Sequence, residues 1–388
     1  MTLTICSPHC GVAPETTSGG ETYERELLTR LGQGGVRVEL ILARGKAHPA
    51  NVPNWTVHRF GIHRGLRWYV APFVVPPAIR RVYRERGFDL LRVHSLRYIG
   101  PAALWARRRY SIDVPVVSHH HHLDPSPLNR VIEKRVIEAS DHVITVSQFS
   151  RGQLADELGV SVDHVSVIHN GVDERFAPDT PDAALAARLG LGGNRVAMFL
   201  GGLKRRKNLE FLLHVWRGVT NRVPDATLLI AGDGSEARAL KRAAVDLGIS
   251  QRVVFSGRIP EEIKVAVYNL ASVFVSPSSL EGFGFTVAEA MSCALPVVVA
   301  RQGALPEIVG DGPGSVVCDV DRYDQFTDAL VGLLRSPERC AIGGRANQAR
   351  INTFFRWERA VCRVQEVYAD MVGRRRSARP PLGRGNGS

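Results

Sequence analysis

Residues 276–303 read SPSSLEGFGFTVAEAMSCALPVVVARQG, and the fold is decided by how this stretch is read. A buried strand over residues 272–276 enters it, and a helix of good formers over residues 287–291 leaves it. The loop between them therefore lies at the C-terminal edge of a parallel sheet, where open α/β folds take their ligands. Gly282 and Gly284 lack side chains, so main-chain N–H groups can approach a phosphate, and the helix that follows offers its positive dipole end. A diphosphate is the natural ligand. Glu281 and Glu289 stand eight residues apart, one in the loop and one about a turn into the helix. Glu289 suits the two hydroxyls of a ribose, which leaves Glu281 toward the sugar end. Taken alone, two such glutamates are more often surface or helix-capping residues.

Outward from this loop, short apolar or β-branched runs alternate with helical patterns. The runs are residues 3–6, 36–42, 90–93, 114–118, 143–146 and 165–168, then 196–200, 228–231, 253–256, 273–276 and 297–300. This rhythm predicts two series of βαβ units on parallel sheets. At 388 residues the chain exceeds what one core organises, which agrees with two domains. The predicted boundaries are 1–172 and 173–356, a helix over 357–371 crossing back onto the first domain, and a disordered basic tail over 373–388. The linker carries Pro178, Pro181 and the run Gly190-Leu191-Gly192-Gly193.

The order of these features resembles the family 4 retaining glycosyltransferases of the GT-B fold, whose signature is an EGFG loop with a second glutamate eight positions on. Glu281, Gly282, Phe283, Gly284 and Glu289 meet it, followed by Leu295-Pro296-Val297-Val298. The resemblance runs from Gly19-Gly20 to about Trp357 and implies two Rossmann-like doubly wound domains facing across a cleft. It places the donor against Gly282, Phe283, Gly284, Phe285 and Glu289. Gly201-Gly202-Leu203-Lys204-Arg205-Arg206-Lys207-Asn208 resembles the family's cationic phosphate loop, with Gly201-Gly202 where a GR pair is commoner. Lys207 and Arg206 thereby become the clamp on the leaving diphosphate. Asp233-Gly234 looks like the GDG turn of the nucleotide site, and Arg258 and Ile259 follow the strand that holds the base. In the first domain, Gly19-Gly20 resembles the glycine turn that approaches the donor, with Gly20 in contact. A histidine at the end of the strand over 114–118 touches the donor sugar in the family; counting favours His121, with His120 second. The run His119 to His122 also suggests a metal site, but adjacent strand residues point to opposite sides and cannot converge on one ion. Ile168-His169-Asn170-Gly171-Val172-Asp173 resembles the hinge into the second domain.

The implied activity is metal-independent transfer of a hexosyl unit, with retention, from a nucleoside-diphosphate sugar to a saccharide or lipid-linked acceptor. No cofactor is expected, the nucleotide-sugar being a co-substrate, and no DxD motif stands at a strand end near the predicted cleft. The RKN form of the phosphate loop leans toward GDP-mannose over UDP-hexoses. Composition bounds the rest. Apolar residues at 44% and charged residues at 23% are those of a globular protein, and no apolar run could span a bilayer. The N-terminus reads as a first strand rather than a leader, so a cytoplasmic location is expected. Six dispersed cysteines indicate neither a disulfide framework nor a zinc ribbon. A formal charge of +12, concentrated in Arg80-Arg81-Val82-Tyr83-Arg84, Arg107-Arg108-Arg109 and the C-terminal arginines, fits contact with the inner membrane surface or a polyanionic acceptor. Competing readings are a nucleotide-sugar epimerase or phosphorylase, and a non-catalytic polyanion or nucleic-acid binder. The absence of any nucleic-acid motif weighs against the last, so no nucleic acid is expected as a partner.

Overall fold

The computed structural model describes residues 2–15, 19–61, 70–121, 123, 126–191 and 195–377. His122, Asp124, Gly192, Gly193, Arg379 and Arg384 lie outside the described residues, as do residues 16–18. The chain forms two compact units, Met1–His169 with Glu358–Ser388, and Asn170–Trp357.

In the first unit, β1 (Thr4–His9), β2 (Arg37–Ala43), β3 (Trp55–Phe60), β4 (Leu90–Val93), β5 (Val116–His120), β6 (His142–Thr145) and β7 (Val165–Val167) form one sheet. Its order is β3-β2-β1-β4-β5-β6-β7, and every neighbouring pair is parallel. The connecting helices are α1 (Gly19–Gln33), α2 (Ala71–Glu85), α3 (Ile99–Arg109), α4 (Pro127–Ala139) and α5 (Gln148–Asp156). α1 turns Tyr23, Glu24, Leu27, Leu28 and Leu31 inward, the i, i+3, i+4, i+7 stripe of a half-buried helix. Apolar residues of α2, α3 and α4 share one core with β4 and β5 on the sheet.

In the second unit, α6 (Ala183–Arg188) precedes β8 (Val196–Leu200), α7 (Leu209–Arg222), β9 (Thr227–Ala231), α8 (Ala237–Asp246) and β10 (Val253–Gly257). Next come α9 (Lys264–Tyr268), β11 (Val273–Ser276), α10 (Phe285–Ser292), β12 (Val297–Ala300), α11 (Leu305–Val309), β13 (Ser315–Cys318), α12 (Tyr323–Leu334) and α13 (Pro337–Phe354). The sheet order is β10-β9-β8-β11-β12-β13, again all parallel. Central strands such as VAMFL and VVVA are buried along almost their whole length, as parallel strands covered on both faces must be. α14 (Trp357–Ser377) then returns the chain to the first unit.

Three expectations need correction. β3 was not among the predicted strands: its sequence WTVHRF is half-buried throughout on the sheet edge, so it shows no apolar run. β5 runs Val116–His120, two residues later than the expected 114–118, so His119 and His120 belong to the strand itself. The tail expected to be disordered from residue 373 is helical to Ser377, because Arg375 pairs with Asp113 and Arg376 with Asp89.

Candidate active site

A doubly wound sheet opens a crevice where its strand order reverses, because connections on either side of that point leave in opposite directions. In the second unit the reversal lies between β8 and β11. The loop after β8 carries Arg206 and Lys207, and the loop after β11 carries Glu281. Arg205–Lys207 make a single tight turn, closed by Asn208 in the left-handed region (φ 53°), which asparagine tolerates better than most side chains. That turn directs Lys207 inward, where its ammonium donates to Glu281 Oε1. Arg206 Nη1 donates to the Leu280 carbonyl (2.8 Å) and stands 3.4 Å from Glu281 Oε2. Ser279 locks the two loops together, its N–H and hydroxyl both donating to the Arg206 carbonyl. Burial lowers the Lys207 ammonium from its ordinary value, against the pull of Glu281. Burial raises the Glu281 carboxyl, but Lys207 and Arg206 outweigh that and hold it low. Glu281 thus sits beside both cations of the loop after β8.

The GDG turn after β9 packs on this loop. A Cβ on Gly232 would stand 1.9 Å from the Gly201 carbonyl oxygen, and one on Gly234 2.3 Å from that of Leu203, so both positions require glycine. Asp233 caps its own turn, its Oδ1 accepting from Gly234 N (2.8 Å). Gly284, at φ 96°, starts α10 in a conformation that other residues resist. The Phe283 ring is buried in the unit's packing against Phe285 and Phe355. Gly282 continues the loop from Glu281, and Arg258 and Ile259 follow β10, exposed and half-buried respectively.

Glu289 lies on α10 within a second small cluster: Lys264 donates to Oε1 (2.8 Å) and the Tyr268 hydroxyl to Oε2 (2.7 Å). Lys264 also lies over the Phe176 ring, 5.2 Å from its centroid. Neither partner was expected, although their i, i+4 spacing after the base loop puts them on one helix face.

In the first unit the strand order reverses between β1 and β4. β1, β4 and β5 are adjacent, and each ends at a histidine: His9 at the last residue of β1, His94 just after β4, His121 just after β5. Beneath them lies Glu24 of α1, bound through both oxygens by the Arg92 guanidinium. His9 Nε2 donates to Glu24 Oε2 (2.8 Å), and His94 Nδ1 and His121 Nε2 stand 3.2 and 3.6 Å from Oε1. Gly20, in the first turn of α1, lies over His94, whose Cε1 is 4.0 Å from where a Cβ would be. His119 is the neighbour that does not join the edge; it is buried between the hydroxyls of Tyr23 (3.2 Å) and Tyr368 (2.8 Å). The ligand atoms of His9, Glu24 and His94 lie within 4.8 Å of one another, yet the fixed charge of Arg92 already balances the carboxylate. This cluster was missed, although a glutamate on the buried stripe of α1 and an arginine inside the strand LLRV are a complementary pair in the sequence.

Two family models match the chain: "Glycosyltransferase Family 4" over residues 17–176 and "Glycosyl transferases group 1" over residues 194–336. The GDP-mannose-dependent alpha-(1-6)-phosphatidylinositol monomannoside mannosyltransferase of Mycolicibacterium smegmatis is 34% identical over 73% of this chain and 75% of its own length. The D-inositol 3-phosphate glycosyltransferase of Segniliparus rotundus is 28% identical over 91% and 84%. Among solved structures, sucrose-phosphate synthase from Thermosynechococcus elongatus superposes with a TM-score of 0.79 at 20% identity, covering 96% of this chain and all of that one. Anabaena HepE in complex with UDP-glucose superposes with a TM-score of 0.79 at 19% identity, covering 95% and 100%.

Proposed function

The chain belongs to the family 4 glycosyltransferases of the GT-B fold, and from that premise we propose that it moves mannose from GDP-mannose, with retention and without a metal, onto an inositol-phosphate-bearing lipid or saccharide. The observation that carries this reading is the trio Arg206, Lys207 and Glu281 at the reversal point of the second sheet. Two cations beside main-chain N–H groups at the start of α10 fit a diphosphate. As the bond from the anomeric carbon to the diphosphate breaks, negative charge collects on the departing oxygen, and these cations stabilise it where it develops. The acceptor oxygen bonds to the anomeric carbon on the face the diphosphate leaves, and the departing phosphate oxygen takes the acceptor's proton. Glu289 is assigned to the ribose, Arg258 and Ile259 to the base, and His121 and Gly20 to the transferred sugar. The GDP-mannose dependence of several relatives supports mannose, and the inositol in the relatives' names supports the acceptor class.

We further place the enzyme on the cytoplasmic face of a membrane. Among the described residues no helix is long and apolar enough to cross one. Phe73 of α2 is 75% exposed and Trp105 of α3 47%, on neighbouring helices that also carry Arg80, Arg81, Arg84, Arg108 and Arg109. Aromatic side chains among arginines suit an anionic lipid surface. Incubation with radiolabelled GDP-mannose, UDP-glucose or UDP-galactose and phosphatidylinositol vesicles tests the assignment. Labelled lipid from GDP-mannose alone, with an α-anomeric product by NMR, is expected; label from a UDP-sugar instead contradicts the donor.

A further inference from the structure

Resting on that reading, we propose that Glu24 is a positioning residue for sugar transfer: its carboxylate, pinned by Arg92, fixes the tautomers of His94 and His121 so that both rings offer hydrogen-bond acceptors to the sugar. The argument starts from the number of donors around one carboxylate. Oε2 accepts from Arg92 Nη1 and His9 Nε2, while Oε1 accepts from Arg92 Nη2 (2.8 Å) and faces His94 Nδ1 and His121 Nε2. His94 Nδ1 and His121 Nε2 are buried and complete no hydrogen bond among the described residues, and Glu24 Oε1 is the carboxylate oxygen beside each, at 3.2 and 3.6 Å. An imidazole that directs its N–H to a carboxylate presents a lone pair at its other nitrogen. His94 is therefore the Nδ1–H tautomer with Nε2 free to accept, and His121 the Nε2–H tautomer with Nδ1 free to accept.

The surroundings hold this arrangement from every side. His94 stacks on His9 at 4.9 Å, nearly parallel, and meets His121 edge-on at 5.4 Å. Tyr23 packs edge-on against His121 at 4.7 Å, and the Ser150 hydroxyl donates to the His121 carbonyl (2.9 Å). Ser95, immediately after His94, is in the left-handed region (φ 62°), a costly conformation that the amides of Tyr98 and Ile99 secure by bonding to its carbonyl. The Tyr368 hydroxyl on α14 accepts from Arg92 Nε (2.9 Å) and meets His119 Nε2, which steadies the guanidinium that steadies Glu24. Burial lowers both His94 and His121 from the ordinary imidazole value, which keeps the rings neutral. A neutral imidazole can accept from a sugar hydroxyl; an imidazolium cannot.

Histidine-labelled full-length protein reads the tautomers directly through long-range 15N–1H spectra near neutral pH, with His94→Gln and His121→Gln spectra as assignments. The expected result is a neutral Nδ1–H ring for His94 and a neutral Nε2–H ring for His121. The opposite tautomers, or a ring protonated on both nitrogens, overturn the inference without need of any Glu24 variant. Glu24→Gln keeps the shape but offers one acceptor and one donor. It should cut kcat by about tenfold to a hundredfold, as loss of a carboxylate behind a functional histidine does elsewhere, with the donor KM within about twofold. A folded Glu24→Gln enzyme with unchanged kcat also overturns it. If the wild type transfers no sugar at all, the functional reading falls, while the tautomer spectra still decide this inference by themselves.

Discussion

Each sheet places a carboxylate held by a basic side chain at the point where its strand order reverses, and the two are built differently. Glu24 in the first unit has a side chain 0% exposed, with Arg92 equally sealed and Tyr368 behind it. Glu281 in the second stands on a glycine loop at 12% exposure, and one of its two cations, Arg206, is 47% exposed. A pair shut inside a core has no access for a ligand and serves to orient what surrounds it. A pair on a loop edge can exchange its internal partner for a phosphate. The difference teaches that burial, rather than residue type, separates the scaffold of a site from its working groups.

The largest expected effect on activity falls on the open pair. Lys207→Met should lower kcat by about a hundredfold to a thousandfold, since it removes a donor aimed at the developing charge. A steady-state assay of the folded variant checks it, and a drop below tenfold breaks the contrast. On stability the order reverses. Arg92→Met leaves the Glu24 charge buried without its strongest partner and should cost about 3–5 kcal/mol in urea unfolding. A cost near that of a surface pair would mean that the two carboxylates are alike.

The sealed pair should also show in acid. Burial alone would raise the Glu24 carboxyl, but Arg92, with His94, His121 and His9, holds it well below its ordinary value of 4.5. A carboxyl that is more acidic folded than unfolded contributes stability above about its unfolded value, and that contribution is lost as pH falls toward its folded value. Urea midpoints should therefore decline below about pH 4.5, and Glu24→Gln should flatten that decline. Smallest of all, Arg376→Ala removes a half-exposed pair with Asp89 and should shift stability by about 1 kcal/mol or less. A larger loss would mean that the end of α14 is a structural clasp.

Much of this was legible in the sequence. The alternation of runs located both parallel sheets, and the glycine pair with its flanking glutamates marked the loop after β11. Edge strand β3 escaped because a half-buried strand lacks the apolar run that announces a central one. Glu24 and Arg92 escaped for another reason: each looks like an isolated exception until the sheet brings α1 and β4 together, 68 residues apart in the chain. Lys264 and Tyr268 likewise became partners of Glu289 only when α9 met α10. The inward packing of the Phe283 ring was not legible either, because a motif gives residue types and not the direction of a side chain.

Calorimetric titration of GDP into the wild type and into Lys207→Met tests the central claim most directly, since it asks whether the open pair grips a nucleoside diphosphate. The account predicts saturable binding by the wild type that weakens at least about tenfold, or 1.4 kcal/mol, in the folded variant. Equal affinity in the two proteins would contradict it.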